Sequence, residues 1–294
     1  MTQSPVPSVI TIGNFDGIHV GHQQLLDCLA AESLRRVLVT FDPQPAEVFS
    51  SQPPARLSRL REKWTKLQAW PIDLVYLMSF SHQIANIAPE AFVEQMLVKA
   101  LGAKKIIVGE DFRFGKKRAG DVHLLRGLGE RYGFEVQSYR KYCCQDRVVS
   151  SSWVRELLRA GDFAMAETLL GEPYYHQGRV VYGNQLGRVL GCPTANIPMH
   201  RKTSPLQGIY VVEVEGVSAQ PLKGVASVGT RPTVDGTTFL LEVHLFDFHE
   251  NIYGQLLTVR YLKKLRDEWK FDSLDALKQQ IEKDCQQARE YWNE

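Results

Sequence analysis

No apolar run in the sequence reaches the roughly 18 residues that a transmembrane helix needs, and no GxxxxGK[ST] loop of the P-loop enzymes is present. The opening, MTQSPVPSVI, has neither a basic start nor a long apolar stretch, so it does not read as a secretory signal. An excess of one charge is missing too. The 35 Lys and Arg against 33 Asp and Glu leave a formal net charge of +2, which argues against the broad basic footprint of a nucleic-acid binder. Cysteine is sparse: Cys28, Cys143, Cys144, Cys192 and Cys285 are odd in number and show no CxxC or Cys/His zinc spacing. That pattern speaks against a disulfide framework, and the thiols read as buried or incidental in a reducing compartment. The expectation is a cytoplasmic chain without membrane or nucleic-acid partners, a monomer or weak homo-oligomer.

What is present suffices for two cores. The 294 residues are 44% hydrophobic and 23% charged, ordinary for a globular protein and long for a single core. Short apolar runs at Val9–Gly13, Arg36–Phe41, Asp73–Leu77, Lys105–Gly109 and Phe134–Ser138 fit buried parallel strands. Helical patterns lie between them; one begins at Pro89 and runs to Leu101, with Gly102 as its stop. Strands separated by helices predict a doubly wound α/β layer. After Gly171-Glu172-Pro173 the period changes to two, with strand-like alternation over Gly208–Glu215, Thr238–Phe246 and Leu256–Leu262. Glycine-rich turns separate these runs, as in a small closed antiparallel barrel. A last helix follows Ser273, a suitable N-cap. The expected domains are residues 1–172 and 173–294.

The passage richest in chemistry is Gly13-Asn14-Phe15-Asp16-Gly17-Ile18-His19-Val20-Gly21-His22, placed after the first strand and opening a helix. At such a junction backbone N–H groups and the positive helix end face a phosphate. Gly13, Gly17 and Gly21 permit close approach. His19 and His22, three apart, can face one polyphosphate and stabilise charge in the transition state. A metal pair is the rival, weakened by the lack of a third ligand on an obvious register. Lys116-Lys117-Arg118 is a local basic stretch that can also meet phosphate on a small ligand.

The GNFDGIHVGH segment resembles the HxGH nucleotidyltransferases and, within them, the bacterial bifunctional riboflavin kinase/FAD synthetases. Thr40-Phe41-Asp42-Pro43-Gln44-Pro45, then Val108-Gly109-Glu110-Asp111-Phe112-Arg113-Phe114-Gly115, then Ser150-Ser151-Ser152-Trp153-Val154-Arg155 agree in order. The resemblance spans almost the whole chain. It implies a Rossmann-like nucleotidyltransferase domain in which His19 and His22 hold the ATP phosphates and Gly13, Asn14, Phe15, Asp16, Gly17 and Gly21 line the same pocket. Asp111, Phe112, Arg113 and Gly115 would line the flavin and nucleotide cleft. Ser150, Ser151, Ser152 and Arg155 would cap the phosphates. Taken alone, those serines fit an ordinary N-cap, and Asp111 with Arg113 fits a surface ion pair. The chain departs from the family pattern at Gln44, where His is usual, at Ser152, where Thr is usual, and at Trp153, where a basic residue is commoner.

Further on, Gly178-Arg179-Val180-Val181-Tyr182-Gly183 leads into Gly187-Arg188-Val189-Leu190-Gly191-Cys192-Pro193-Thr194-Ala195-Asn196. This resembles the riboflavin kinase signature, in which an arch carrying Gly183, Gly187, Arg188 and Gly191 covers ATP and a PTAN segment holds Mg²⁺ through Thr194 and Asn196. Cys192 stands where an aromatic is usual. On pattern alone PTAN is a turn, and Glu242 is a solvated residue on a strand whose Leu241, Val243 and Leu245 face inward. The resemblance makes Glu242 the base for the riboflavin 5′-hydroxyl and Arg266 a ligand contact. The implied partners are riboflavin, FMN, FAD, ATP, ADP and pyrophosphate, with Mg²⁺ as cofactor and ATP as co-substrate. Two other readings remain open from the residues: a nucleotidyltransferase acting on another phosphate-bearing molecule, and a nucleotide- or RNA-binding module.

Overall fold

The computed structural model describes residues 5–183, 187, 191–201, 203–233 and 236–292. It divides into two compact units, Met1–Pro54 with Arg59–Ser150, and Ala55–Ser58 with Ser151–Glu294.

In the first unit, β1 (Ser8–Ile12), β2 (Arg35–Phe41), β3 (Leu74–Met78), β4 (Ala103–Gly109) and β5 (Glu135–Tyr139) form one sheet in the order β3-β2-β1-β4-β5. Every pairing in it is parallel. Alternation along the strands sends side chains into two layers. Ile10, Val37, Val39, Ile106 and Val108 join one cluster, while Val9 and Ile107 pack beneath Leu29 in another. Central β1 is buried at all five positions, and each fully buried Val or Ile there stabilises by about 1.5–3 kcal/mol. The strand bounds expected from the sequence hold to within about two residues.

Helix α1 (Val20–Ala30) follows β1 and buries Leu26 and Leu29 on the stripe that faces the sheet. The expected helix from Pro89 is present, as an α-helical start, Pro89–Phe92, that widens into π-helical turns over Val93–Ala100. The Leu101 N–H closes it by donating to Met96 O, five residues back. Gly102 then takes φ +69°, where a Cβ would lie 2.4 Å from Val6 O. Only glycine fits there.

The second unit is a six-stranded antiparallel sheet. In chain order its strands are β6 (Tyr175–Arg179), β7 (Ala195–Pro198), β8 (Gly208–Glu215), β9 (Leu222–Thr233), β10 (Gly236–Leu245) and β11 (Leu256–Arg266). They pair in the spatial order β6-β11-β8-β9-β10-β7. The two edge strands approach one another. Val181, just past β6, donates its N–H to Asn196 O at 2.8 Å, and a Cβ on Gly178 would fall 2.3 Å from Ile197. The sheet therefore curls almost into the expected barrel. A final helix, Leu274–Tyr291, is capped by Ser273, whose hydroxyl accepts from Ala276 N at 3.2 Å. Its Cys285, Ala288 and Tyr291 pack on Ile209, Val211, Val225 and Phe246.

Residue 172 marks the change in secondary-structure class, but packing divides the chain earlier. The helices Ser151–Ala160 and Phe163–Leu170 belong with the β-rich unit, where the Phe163 ring meets Tyr210 edge-on at 5.7 Å and stacks toward Tyr261 at 6.4 Å. Among the described residues, no helix is long and apolar enough to cross a membrane.

Candidate active sites

In the parallel sheet the order of strands reverses between β1 and β4, and the crevice beyond their carboxyl ends is where open α/β sheets bind ligands. The loop after β1 carries the histidines, and the loop after β4 carries Asp111–Gly115. Phe15 and Ile18 are fully buried at φ +46° and Gly17 takes φ +81°. The loop is thus anchored by its apolar side chains, which leaves its backbone at the strand end. Phe15, expected at the ligand, instead packs in the core with Leu26, Leu38 and Leu67 and lies against Gly13 and the His22 ring.

His19 is the N-cap of α1 and is buried. Its ring stacks on that of His22, 3.8 Å between centroids and 18° between planes. Burial above all, then His19, Lys63 and Lys66, holds the His22 imidazole well below its ordinary pKa, so it is neutral at physiological pH. Its buried Nδ1 has no hydrogen-bond partner among the described residues. A side chain at Gly21 would come within 3.3 Å of the His19 ring, so glycine there preserves the stack. Asp16 is buried beside the histidines in the chain.

Two lysines that sequence reasoning missed hold this loop. The buried Lys63 donates from Nζ to Asn14 O at 2.7 Å and to Thr40 Oγ1 at 3.1 Å, and Thr40 Oγ1 donates to Asn14 O at 3.2 Å. Lys66, one turn on in helix Leu60–Leu67, donates to Gly17 O at 2.9 Å. Only their spacing of three on one helix face hinted at a shared task. Asn14 therefore contributes its carbonyl to the scaffold. Gln44 is buried as the N-cap of the helix Pro45–Phe49 that follows β2, its Nε2 unpartnered among the described residues and its N–H bonded to Glu47 Oε2 at 2.7 Å.

Beyond β4, Phe112 stacks on Phe114 at 5.5 Å. Asp111 pairs with Lys141 at 3.1 Å and Arg113 with Asp121 at 3.0 Å, both exposed. Gly115 has φ +69°, and a Cβ there would strike Pro89 at 2.7 Å. Of the late serines, Ser150 ends the first unit, whereas Ser151, Ser152 and Arg155 belong to the second. There Arg155 is buried with Nε donating to Ala55 O, and Trp153 is a core residue.

The barrel gathers the other expected residues. On β10, Leu241, Val243 and Leu245 are buried, while Glu242 and His244 face a cavity of about 600 Å³. In register, Glu242 lies opposite Asn196 of β7 on one side and Ser227 of β9 on the other, and all three line that cavity. Asn196 donates from Nδ2 to Thr194 O at 3.3 Å; its Oδ1 is buried without a partner among the described residues. The incoming chain passes so close that a Cβ on Gly183 would lie 2.5 Å from the Asn196 amide. Likewise a Cβ on Gly187 would lie 2.4 Å from Cys192 O and 3.2 Å from Thr194 Oγ1. Gly191 takes φ +83° with open space around it. Arg188 lies outside the described residues. A second recess of about 540 Å³, lined in part by Tyr182, Pro193, Thr194 and Tyr253, borders the same segment, so Thr194 lines both cavities.

Arg266 reaches the wall of the larger cavity, but its guanidinium is engaged. Nη2 lies 2.6 Å from Asp284 Oδ2, Nε bonds the same carboxylate at 2.9 Å, and Nη1 donates to Asp267 O at 2.9 Å. It therefore ties the last helix to the segment after β11, over which it also covers the Trp269 ring at 4.8 Å. Burial first, then Cys192, pushes the Cys285 thiol up to about 12.

Residues 1–153 match the family model for FAD synthetase, and residues 170–292 match that for riboflavin kinase. A protein of Haemophilus influenzae named bifunctional riboflavin kinase/FMN adenylyltransferase is 44% identical over 97% of this chain and 94% of its own length. Its namesake from Escherichia coli K12 is 45% identical over 99% and 95%. The chain belongs to this bifunctional family. Along with the family comes the fold: a crystal structure from Streptococcus pneumoniae superposes with a TM-score of 0.79 at 33% identity, covering 96% of this chain and 93% of that one. That protein is named a macrolide-efflux protein, a name that belongs to it alone. In family terms, the HxGH loop and Asp111–Gly115 fall within the FAD synthetase match, and Thr194, Asn196, Glu242 and Arg266 within the riboflavin kinase match.

Proposed function

We propose that the barrel phosphorylates riboflavin to FMN and that the α/β unit adenylylates FMN to FAD, each step consuming one ATP. The observation that carries the reading is the row Asn196–Glu242–Ser227 across three strands, set beneath two glycine contacts and open to one cavity. A carboxylate placed there suits the reaction, because an alcohol is a poor nucleophile at neutral pH and gains from a base. Glu242 accepts the proton of the riboflavin 5′-hydroxyl as that oxygen attacks the γ-phosphorus, and ADP leaves. Thr194, shared by both cavities, sits where a nucleotide in the smaller recess and a flavin in the larger one would meet. The hydroxyl of Thr194 and the orphaned Oδ1 of Asn196 are hard oxygen donors that fit Mg²⁺, which supplies charge neutralisation on the phosphates when bound, and Glu242 stays free of the metal to take the proton. Arg266 acts as a positioning residue, through Asp284.

In the α/β unit no base is needed. The FMN phosphate has a second pKa near ~6 and is largely dianionic at neutral pH, ready to attack the α-phosphorus of ATP as pyrophosphate leaves. Catalysis there is positioning and charge stabilisation. The neutral His22 offers a hydrogen-bond donor without a fixed charge; the α1 N-terminus and the loop amides supply the rest. Ser150, the last residue of this unit, adds its hydroxyl to the phosphate grip in this proposal, and Asp111, Phe112, Arg113 and Gly115 border the flavin.

Incubating the purified chain with riboflavin and Mg-ATP, then separating the fluorescent flavins by chromatography, tests both assignments. FMN and then FAD should appear, and supplied FMN should yield FAD with pyrophosphate. If neither flavin product forms, the reading falls; if only one forms, half of it does.

A further inference from the structure

We propose that Cys192, His244 and Cys285 form a binding site for one soft divalent cation, of which Zn²⁺ is the type, set into the wall of the barrel cavity. The two Sγ atoms and a ring nitrogen of His244 all lie within 4.8 Å of one another, and among the described residues no other group of three such ligands comes together. The three residues stand on a loop, on β10 and on the last helix, so the sequence shows no zinc spacing; the tertiary fold alone assembles the set.

The histidine is prepared for a metal. Its Nδ1 lies 2.9 Å from Pro193 O. A carbonyl can only accept, so Nδ1 carries the proton and Nε2 keeps its lone pair. A ring N–H bonded to a backbone carbonyl is the arrangement that fixes the tautomer and orientation of metal-binding histidines. Cys192 is held next to it, its own N–H donating to Gly187 O at 2.8 Å, one residue before the proline that anchors the imidazole.

Distances are compatible with capture. Tetrahedral zinc with Zn–S near 2.3 Å and Zn–N near 2.1 Å sets its sulfurs about 3.8 Å apart and sulfur and nitrogen about 3.6 Å apart, so the cluster needs to contract by about 1.2 Å at most. Donor chemistry separates this site from its neighbour. Two thiolates and an imidazole select zinc over magnesium, whereas the hydroxyl and amide oxygens of Thr194 and Asn196 select the reverse. Each thiol gives up its proton as the cation binds, and the charge on two thiolates balances that of the metal. Three protein ligands leave a fourth position for water or a group in the cavity. Cys192 and His244 both line that cavity, two positions from Glu242 in the case of His244. Zinc held there slows riboflavin phosphorylation and spares FMN adenylylation, a consequence that rests on the kinase reading of the cavity.

Titrating the full chain with Co²⁺ tests the site without reference to activity. One equivalent should raise a thiolate-to-cobalt charge-transfer band with the visible absorption of tetrahedral cobalt, and Zn²⁺ should abolish both. C192S and C285S should each lose the band and weaken zinc binding by at least the roughly 10–100-fold that loss of an outer-shell partner costs. The C143S/C144S double variant should keep the band. Retained FMN adenylylation and an unchanged circular dichroism spectrum identify variants that have folded. A missing band, or a band that C143S/C144S removes, would overturn the proposal. A normal band with riboflavin phosphorylation unaffected by zinc would uphold the metal site and overturn its link to the kinase cavity.

Discussion

Replacing Glu242 by Gln keeps the length and shape of a side chain that faces the cavity between Asn196 and Ser227, and removes its capacity to take a proton. The strand should survive. Its inward face is carried by Leu241, Val243 and Leu245, which the change does not touch, and a half-buried amide costs about 1 kcal/mol or less where one hydrogen bond is traded for another. The rate should not survive. A positioned general base contributes typically 10²–10⁴-fold, which corresponds to about 3–5.5 kcal/mol of barrier. Glu242→Gln should therefore lower riboflavin phosphorylation by about 10²–10⁴-fold, with most of the loss in kcat. Adenylylation of supplied FMN should stay within about twofold of the parent, because the histidine loop lies in a separate compact unit. Flavin chromatography with riboflavin or FMN as the starting substrate measures the two rates independently. A drop of less than about tenfold would remove the proton-accepting role, and an equal loss of both activities would refute the separation of sites.

Two further outcomes concern the α/β unit. The pKa of His22 is lowered by burial, so the unfolded chain binds its proton near 6.5 while the folded chain does not. Stability from this group is complete above about pH 6.5 and falls as the pH drops below it, by at most about 1.4 kcal/mol per pH unit. Urea unfolding from about pH 7 to about pH 5 should show a steeper decline for the parent than for His22→Gln; parallel curves would contradict the buried neutral imidazole. Lys63→Met removes the cation bonded to Asn14 O and to the buried Thr40 Oγ1, and leaves the Thr40 hydroxyl to hold the Asn14 carbonyl. A cost of about 1–3 kcal/mol to the first unit and a fall in FMN adenylylation with riboflavin phosphorylation retained should follow, read by thermal melting and the same chromatography. Unaltered adenylylation would show that the loop holds its shape without the lysine.

Much of the layout was legible because local pattern and tertiary burial agree. In the strands of the parallel sheet, contiguous apolar runs coincide with two-sided burial, and the period-two segment around Glu242 separates an inward apolar face from a polar one. The strands Tyr175–Arg179, Ala195–Pro198 and Leu222–Thr233 were not found. They are short, or carry glycine, proline and charge, and they are held by neighbours rather than by their own alternation. Phe15 was misjudged for a related reason. Its place within a ligand-type motif suggested contact with a nucleotide, whereas a positive φ turns the ring into the core, where its burial shapes the loop. Arg266 was expected as a ligand contact, and its engagement with Asp284 needed the last helix to be in place.

From the amino-acid order alone came the class of each half and the strand-to-helix junction rich in glycine and histidine, since these depend on periodicity and on short contiguous motifs; the PTAN and Glu242 segments stood out only through the family resemblance. Register and folding-back decided the rest. The pairing of Glu242 with Asn196, the lysines beneath the histidine loop and the convergence of Cys192, His244 and Cys285 join residues far apart in the chain, and their spacing carries no signal until the sheet closes and the last helix packs against it.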